Sequence, residues 1–130
     1  MKRTNLLATM LVLGGVAALI AAAEEPLSYG RDIEPVLLKE CGDCHGAENP
    51  KKGLDLSQGK GLANLAGATS KEVDMPLLKA GDPAGSYLWL KITHTATQGR
   101  GMPRTIFGAK KMPKDKIDLI HRWIVEGAKP

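Results

Sequence analysis

The segment Cys41-Gly42-Asp43-Cys44-His45 constrains this chain more than any other. It reads C-x-x-C-H, the spacing through which a c-type haem is attached covalently. Two thiols three residues apart sit on one side of a helical turn and can add to the two vinyl groups of one porphyrin. The residue after the second thiol is then held beneath the iron, where the neutral imidazole of His45 supplies the proximal nitrogen. The rest of the chain has three tasks: to reach an oxidising compartment, to wrap the porphyrin and to supply a sixth ligand. Rival uses of the cysteines are weaker. A structural zinc site needs four ligands, and the sequence has no further Cys to complete one. A thioredoxin-type pair needs a βαβ setting, which is not visible nearby. A plain disulfide between Cys41 and Cys44 is the remaining alternative.

The amino terminus fits export. Lys2 and Arg3 precede an apolar run from Leu6 to Ile20, and Ala21-Ala22-Ala23 stands before Glu24-Glu25-Pro26. That is a basic region, a hydrophobic region and an A-x-A cleavage site. The expected cut follows Ala23, giving a signal peptide over 1–23 and one domain over 24–130. The alternative is a retained anchor, since Leu6 to Ala23 is just long enough to span a bilayer. The expected location is therefore periplasmic, free or membrane-anchored. The formal charge is +4, and two of those charges leave with Lys2 and Arg3. That balance is too small to argue for nucleic acid, and no basic run alternates with aromatics as a single-strand binder requires.

Few large side chains are available to a domain of this length: Tyr29, Tyr87, Trp89, Phe107 and Trp123 are the aromatics. The core is modest, and a buried porphyrin would supply apolar volume. The first helix is expected to start near Asp32, an N-cap residue, and to carry Ile33, Val36 and Leu37 on one face before running into Cys41. Residues 47–60 read as loop, with Leu54 and Leu56 as an apolar island that pins it or covers a haem edge. Residues 61–67 suggest a short helical turn. Residues 71–79 are ambiguous and extended around Pro76. The cluster Gly81-Asp82-Pro83-Ala84-Gly85-Ser86 opens a helix from Tyr87 to about Thr93, capped by Asp82 or Ser86. Residues 95–111 read as a long polar loop. The last helix begins near Pro113, places Ile117, Ile120, His121 and Ile124 on one face and stops at Gly127. No strand pair is evident. The class is all-α, with three to five helices around one covalently bound haem.

A thioether as second axial ligand raises the reduction potential and suits electron transfer. Met102, in Gly99-Arg100-Gly101-Met102-Pro103, fits that role best, because glycines let the backbone approach closely and Pro103 stiffens it. Met112, before Pro113, is the second candidate methionine. His94 offers a bis-His alternative, against its ordinary reading as a solvated helix-end histidine. His121 reads as a half-buried core residue. A sixth site left open is the last alternative.

Together these pieces resemble a small mono-haem cytochrome c, and within that group the planctomycete-type cytochrome c domain. The resemblance rests on Ile33-Glu34-Pro35-Val36-Leu37 ahead of the C-x-x-C-H motif, on Lys52-Gly53-Leu54-Asp55-Leu56, on Gly81-Asp82-Pro83 with Ser86 and Leu88, on Met102-Pro103, and on Ile120 through Trp123-Ile124 to Gly127-Ala128. It implies a helical cytochrome fold with the first and last helices packed together beside the haem. It also implies His45 and Met102 as axial ligands. The chain departs in having Arg104 where a second proline is common, and in a slightly long loop before the final helix.

The functional expectation is an exported one-electron carrier, not an enzyme. Its alternatives are a haem-bearing subunit of a larger membrane or periplasmic oxidoreductase, and a sensor or peroxidase-like protein with an open sixth site. Arg100, Arg104, Lys110, Lys111, Lys114 and Lys116 crowd the Met102 side, with Asp115 the only acid among them. They are expected to form a docking face for an acidic redox partner.

Overall fold

The computed structural model describes residues 24–130, so the expected signal segment, 1–23, lies outside the described residues. Four α-helices follow one another: α1 (Glu34–His45), α2 (Gly61–Leu65), α3 (Tyr87–Ile92) and α4 (Lys114–Val125). A π-helical turn over Tyr29–Ile33 leads directly into α1, and a 3-10 turn spans Lys51–Gly53. Two strands, β1 (Arg104–Thr105) and β2 (Gly108–Ala109), pair antiparallel. The fold is thus mostly helical but not purely so. Part of the region read as a loop over 95–111 closes into a hairpin. Each of its strands is two residues long, too short to show an alternating pattern. Among the described residues no helix is long and apolar enough to cross a membrane.

The helical chain starts about one turn earlier than Asp32. Ser28 is the cap: its Oγ accepts the Arg31 N–H at 3.3 Å, and its own N–H donates to Asp32 Oδ2 at 2.8 Å. Asp32 therefore secures the entry from within the first turn, a reciprocal arrangement that satisfies two otherwise orphaned donors. At the other entry, α3, Ser86 occupies the cap position but turns its hydroxyl elsewhere. The fully buried Ser86 Oγ accepts the Lys79 N–H and donates to the Asp82 carbonyl, both at 2.8 Å. Asp82 in turn accepts the Gly85 N–H at 2.8 Å. The turn cluster thus folds itself and delivers Tyr87 as the first helical residue. Residues 66–78 form a loop that bends over 71–75 and is tied by isolated bridges between Ala66 and Leu78 and between Thr69 and Pro76.

The core gathers Ile33, Leu37, Leu65, Ile92, Ile120 and Trp123 from all four helices and the π turn. The last helix packs on the π turn that feeds α1, where the Tyr29 and Trp123 rings lie 5.7 Å apart and tilted by 48°. The two ends of the described chain are clasped there. Tyr29 N–H and Trp123 Nε1–H both donate to the Lys129 carbonyl, at 2.9 and 2.8 Å, and Leu27 N–H donates to Glu126 Oε2 at 2.9 Å. His121, expected to be half-buried, is exposed on α4 and packs its ring against Trp89, 4.8 Å between centroids.

Candidate functional site

The C-terminal turn of α1 carries Cys41, Cys44 and His45 into the wall of a cleft of about 460 Å³. Such a volume falls within the span of cofactor sites, roughly 300–1,000 Å³. Leu54, Leu56, Leu65, Leu77, Leu88 and Ile92 make the walls apolar. The loop island of Leu54 and Leu56 thus both pins the loop and lines the cleft: Leu56 is buried, and its N–H donates to the His45 carbonyl at 2.7 Å. Cys41 and Cys44 are not joined in a disulfide. Burial, with Glu40 and Cys44 nearby, pushes the Cys41 thiol up to about 12, so it is protonated at neutral pH.

His45 is oriented by its neighbour across the loop. Its Nδ1 lies 3.1 Å from the Leu54 carbonyl oxygen. A carbonyl only accepts, so Nδ1 carries the proton and Nε2 keeps its lone pair. Burial lowers the imidazole pKa below the ordinary histidine value, which favours the same neutral form. A neutral, oriented imidazole is what metal ligation requires.

Met102 lines the same cleft, together with Pro103 and Arg104. Its backbone is fastened at both ends by α3 and the residues just after it. Met102 N–H donates to the Lys91 carbonyl at 2.9 Å, and the Met102 carbonyl lies 3.1 Å from His94 Nε2. His94 itself has a left-handed backbone, φ +61°, and its ring packs so closely on Gly101 that a Cβ there would come within 2.6 Å of it. Gly101 is therefore required by close approach. His94 does not line the cleft; it holds the segment that does. Met112 is also elsewhere, buried in the hydrophobic core at the start of α4.

A polar cluster on the cleft wall had no forecast in the sequence. Lys91, 8% exposed, places Nζ 2.6 Å from Glu72 Oε2 and 5.1 Å from the Tyr87 ring centroid. Tyr87 Oη lies 2.8 Å from the same Glu72 oxygen and 2.9 Å from the Gln98 carbonyl. The hydrogen bond from Lys91, then that from Tyr87, holds the Glu72 carboxyl below its usual range. Burial and Glu72 raise the Tyr87 phenol to about 12. The available signal was Lys91 itself, which falls on the apolar face of α3 with Leu88 and Ile92.

The donor set and the apolar walls fit a porphyrin attached at Cys41 and Cys44, with His45 presenting a neutral nitrogen to its metal. They do not fit a metal held by protein alone. Among the described residues no three His, Cys, Asp or Glu side chains cluster as ligands. A small, mostly helical domain with the C-x-x-C-H motif on the wall of an apolar cleft belongs to the c-type cytochrome class. More narrowly, the sequence model of the family described as Planctomycete cytochrome C matches residues 41–104, from the first motif cysteine to the residue after Met102-Pro103, and this segment is a planctomycete-type cytochrome c domain. No curated protein and no solved structure matches the chain.

Proposed function

We propose that this protein is an exported one-electron carrier working through a single covalently attached haem c. The observation that carries the reading is that Met102 lines the same apolar cleft as Cys41, Cys44 and His45. Cys41 and Cys44 would hold the porphyrin through thioethers, and His45 and Met102 would ligate its iron. Haem c, when bound, supplies one-electron exchange between ferrous and ferric iron. The remaining work belongs to the chain. The Leu54 carbonyl fixes the His45 tautomer, Lys91 and His94 hold the Met102 backbone, and the leucine-rich walls give the cleft its apolar lining. Arg100, Arg104, Lys110, Lys111, Lys114 and Lys116 would steer an acidic redox partner, and the rate of its reduction is expected to fall as salt is added.

Absorption spectroscopy of the matured protein tests the ligand set. A far-red sulfur-to-iron band in the ferric form, with no carbon monoxide binding by the ferrous form, is expected. Both properties are expected to change in Met102→Ala. A band that persists in Met102→Ala would transfer the role to Met112, despite its burial in the core. Ready carbon monoxide binding by the unaltered protein would replace the carrier with the open-site sensor or peroxidase-like reading.

A further inference from the structure

The hairpin of β1 and β2 carries an unusual tip. Its two turn residues are Ile106 and Phe107, 93% and 94% exposed. Two-residue hairpin turns favour Asn-Gly or Gly-X, because those residues tolerate the turn backbone and leave polar groups in water. Here the turn chemistry is supplied by the flanks. Thr105 Oγ1 accepts the Phe107 N–H at 3.2 Å and donates to the Gly108 carbonyl at 3.3 Å, and Gly108 takes φ +123°. Lys110 N–H closes the base on the Pro103 carbonyl at 2.8 Å. The tip is thus a built structure that displays two large apolar side chains with nothing packed on them. The turn lies just beyond residues 41–104, so the family match does not account for it.

The surroundings are cationic. From Arg100 to Lys114 the sequence holds five basic residues and no carboxylate. Arg100, Arg104, Lys110 and Lys111 are exposed, and among the described residues none of them forms an ion pair, whereas Lys114 pairs with Asp118 and Lys116 with Asp115. Arg104 lies two residues before Ile106, and Lys110 three after Phe107. At a strand rise of about 3.3 Å per residue, the backbone positions of those basic residues are set about 7–10 Å back along the chain from the tip.

We propose that this hairpin is a membrane-docking finger, in which Ile106 and Phe107 enter the interface of an anionic lipid surface while Arg104, Lys110 and Lys111 meet the headgroup phosphates. Apolar groups of interfacial anchors bury about 5–10 Å into the headgroup–acyl boundary, which matches the setback of the cations. Anionic lipid attracts nearby basic side chains in the same geometry. The charge alone would serve an acidic protein equally well. The shape favours lipid: a protein docking face surrounds its apolar centre with a packed rim, whereas this tip is flanked only by Thr105 and Gly108. Ile106 also lines a recess with Cys44 and Met102, so docking would bring the mouth of the cleft to the membrane surface. The proposal does not depend on haem chemistry.

Co-sedimentation of the full matured protein with vesicles tests it, using three parts phosphatidylcholine to one part phosphatidylglycerol against phosphatidylcholine alone. Partitioning is expected to be at least tenfold stronger on the anionic vesicles and to weaken with salt. The exposed-tip double variant Ile106→Ser/Phe107→Ser is expected to lose at least tenfold on those vesicles, with far-UV circular dichroism and melting temperature unchanged. Lys110→Glu/Lys111→Glu should lose as much, while Val125→Ser, an exposed apolar residue elsewhere, should lose nothing. Equal partitioning of the tip variant and the unaltered protein would overturn the proposal, as would indifference to lipid charge. A tip-dependent, concentration-dependent dimer that ignores vesicles would also overturn it, in favour of a second copy as the occupant.

Discussion

His94→Ala separates a latch from a ligand. In the structure the His94 ring reaches the Met102 carbonyl through Nε2 at 3.1 Å, while the Met102 N–H stays fastened to the Lys91 carbonyl at 2.9 Å. Removing the ring deletes one of those two fasteners and the packing against Gly101. A hydrogen bond of this kind contributes about 0.5–1.5 kcal/mol net. At about 1.4 kcal/mol per factor of ten, the population in which the Met102 segment has lifted from the cleft should rise roughly two- to tenfold. The strained left-handed backbone at position 94 remains in the Ala variant, so nothing offsets the loss. Hydrogen exchange of the Met102 amide reads this directly and needs no haem; tryptic cleavage after Arg100 and Arg104 should accelerate in step. In the haem-loaded protein the far-red band should weaken but survive, and carbon monoxide should bind slowly where it did not before. His94→Gln, which restores a donor of similar reach, should recover most of the lost protection. If exchange at Met102 did not change in His94→Ala, the latch would be refuted. If the variant instead lost a low-spin spectrum that Met102→Ala retains, His94 would be the ligand.

Other consequences follow from groups that are paired badly, or paired too well to change without cost. Tyr29 Oη is buried with no hydrogen-bond partner, so Tyr29→Phe should leave thermal stability unchanged or raise it by up to about 1 kcal/mol, since an unsatisfied buried hydroxyl costs about 1–3 kcal/mol. Gly61 abuts that hydroxyl, and a Cβ there would collide with it. Gly61→Ala should therefore destabilise by about 1–3 kcal/mol in denaturant titration, with part of the loss recovered in the Tyr29→Phe background. Glu72 is held below its usual carboxylate range by Lys91 and Tyr87, so its contribution to stability is present above the unfolded-state value and lost as pH falls through the lower folded value. Melting temperature measured from pH 7 down to pH 3 should accordingly fall less steeply in Glu72→Gln than in the unaltered protein. A parallel pair of curves would show that the cluster is not coupled to folding.

The readability of this chain divides along a physical line. What side-chain type and spacing encode was legible: the helical stretches of α1, α3 and α4, the loop over 47–60 anchored by Leu54 and Leu56, and the motif that ends α1. Periodicity records which face is buried, so the spacing of Ile120 and Ile124 alone points them to the core. Contacts from side chain to distant backbone leave no such record. The Leu54 carbonyl that orients His45 is a group every residue possesses, and the Lys91 carbonyl that holds Met102 is another. His94 was visible as a histidine near a helix end, but its task depends on a left-handed backbone that brings the ring back over Gly101. Lys91 is the instructive intermediate case. Its place between Leu88 and Ile92 on α3 was an unread signal of a buried ammonium, which needs a compensating partner nearby. Which carboxylate was a matter of tertiary structure: Glu72 arrives on the bent stretch between the bridged residues Thr69 and Pro76, fifteen residues ahead of Tyr87, which shares it. A charged residue on an apolar helix face thus specifies that a partner exists, and the fold then decides its identity. Here the choice ties the bent stretch over 71–75 to α3 through one Glu72 oxygen beside the cleft, while Tyr87 Oη also reaches the Gln98 carbonyl.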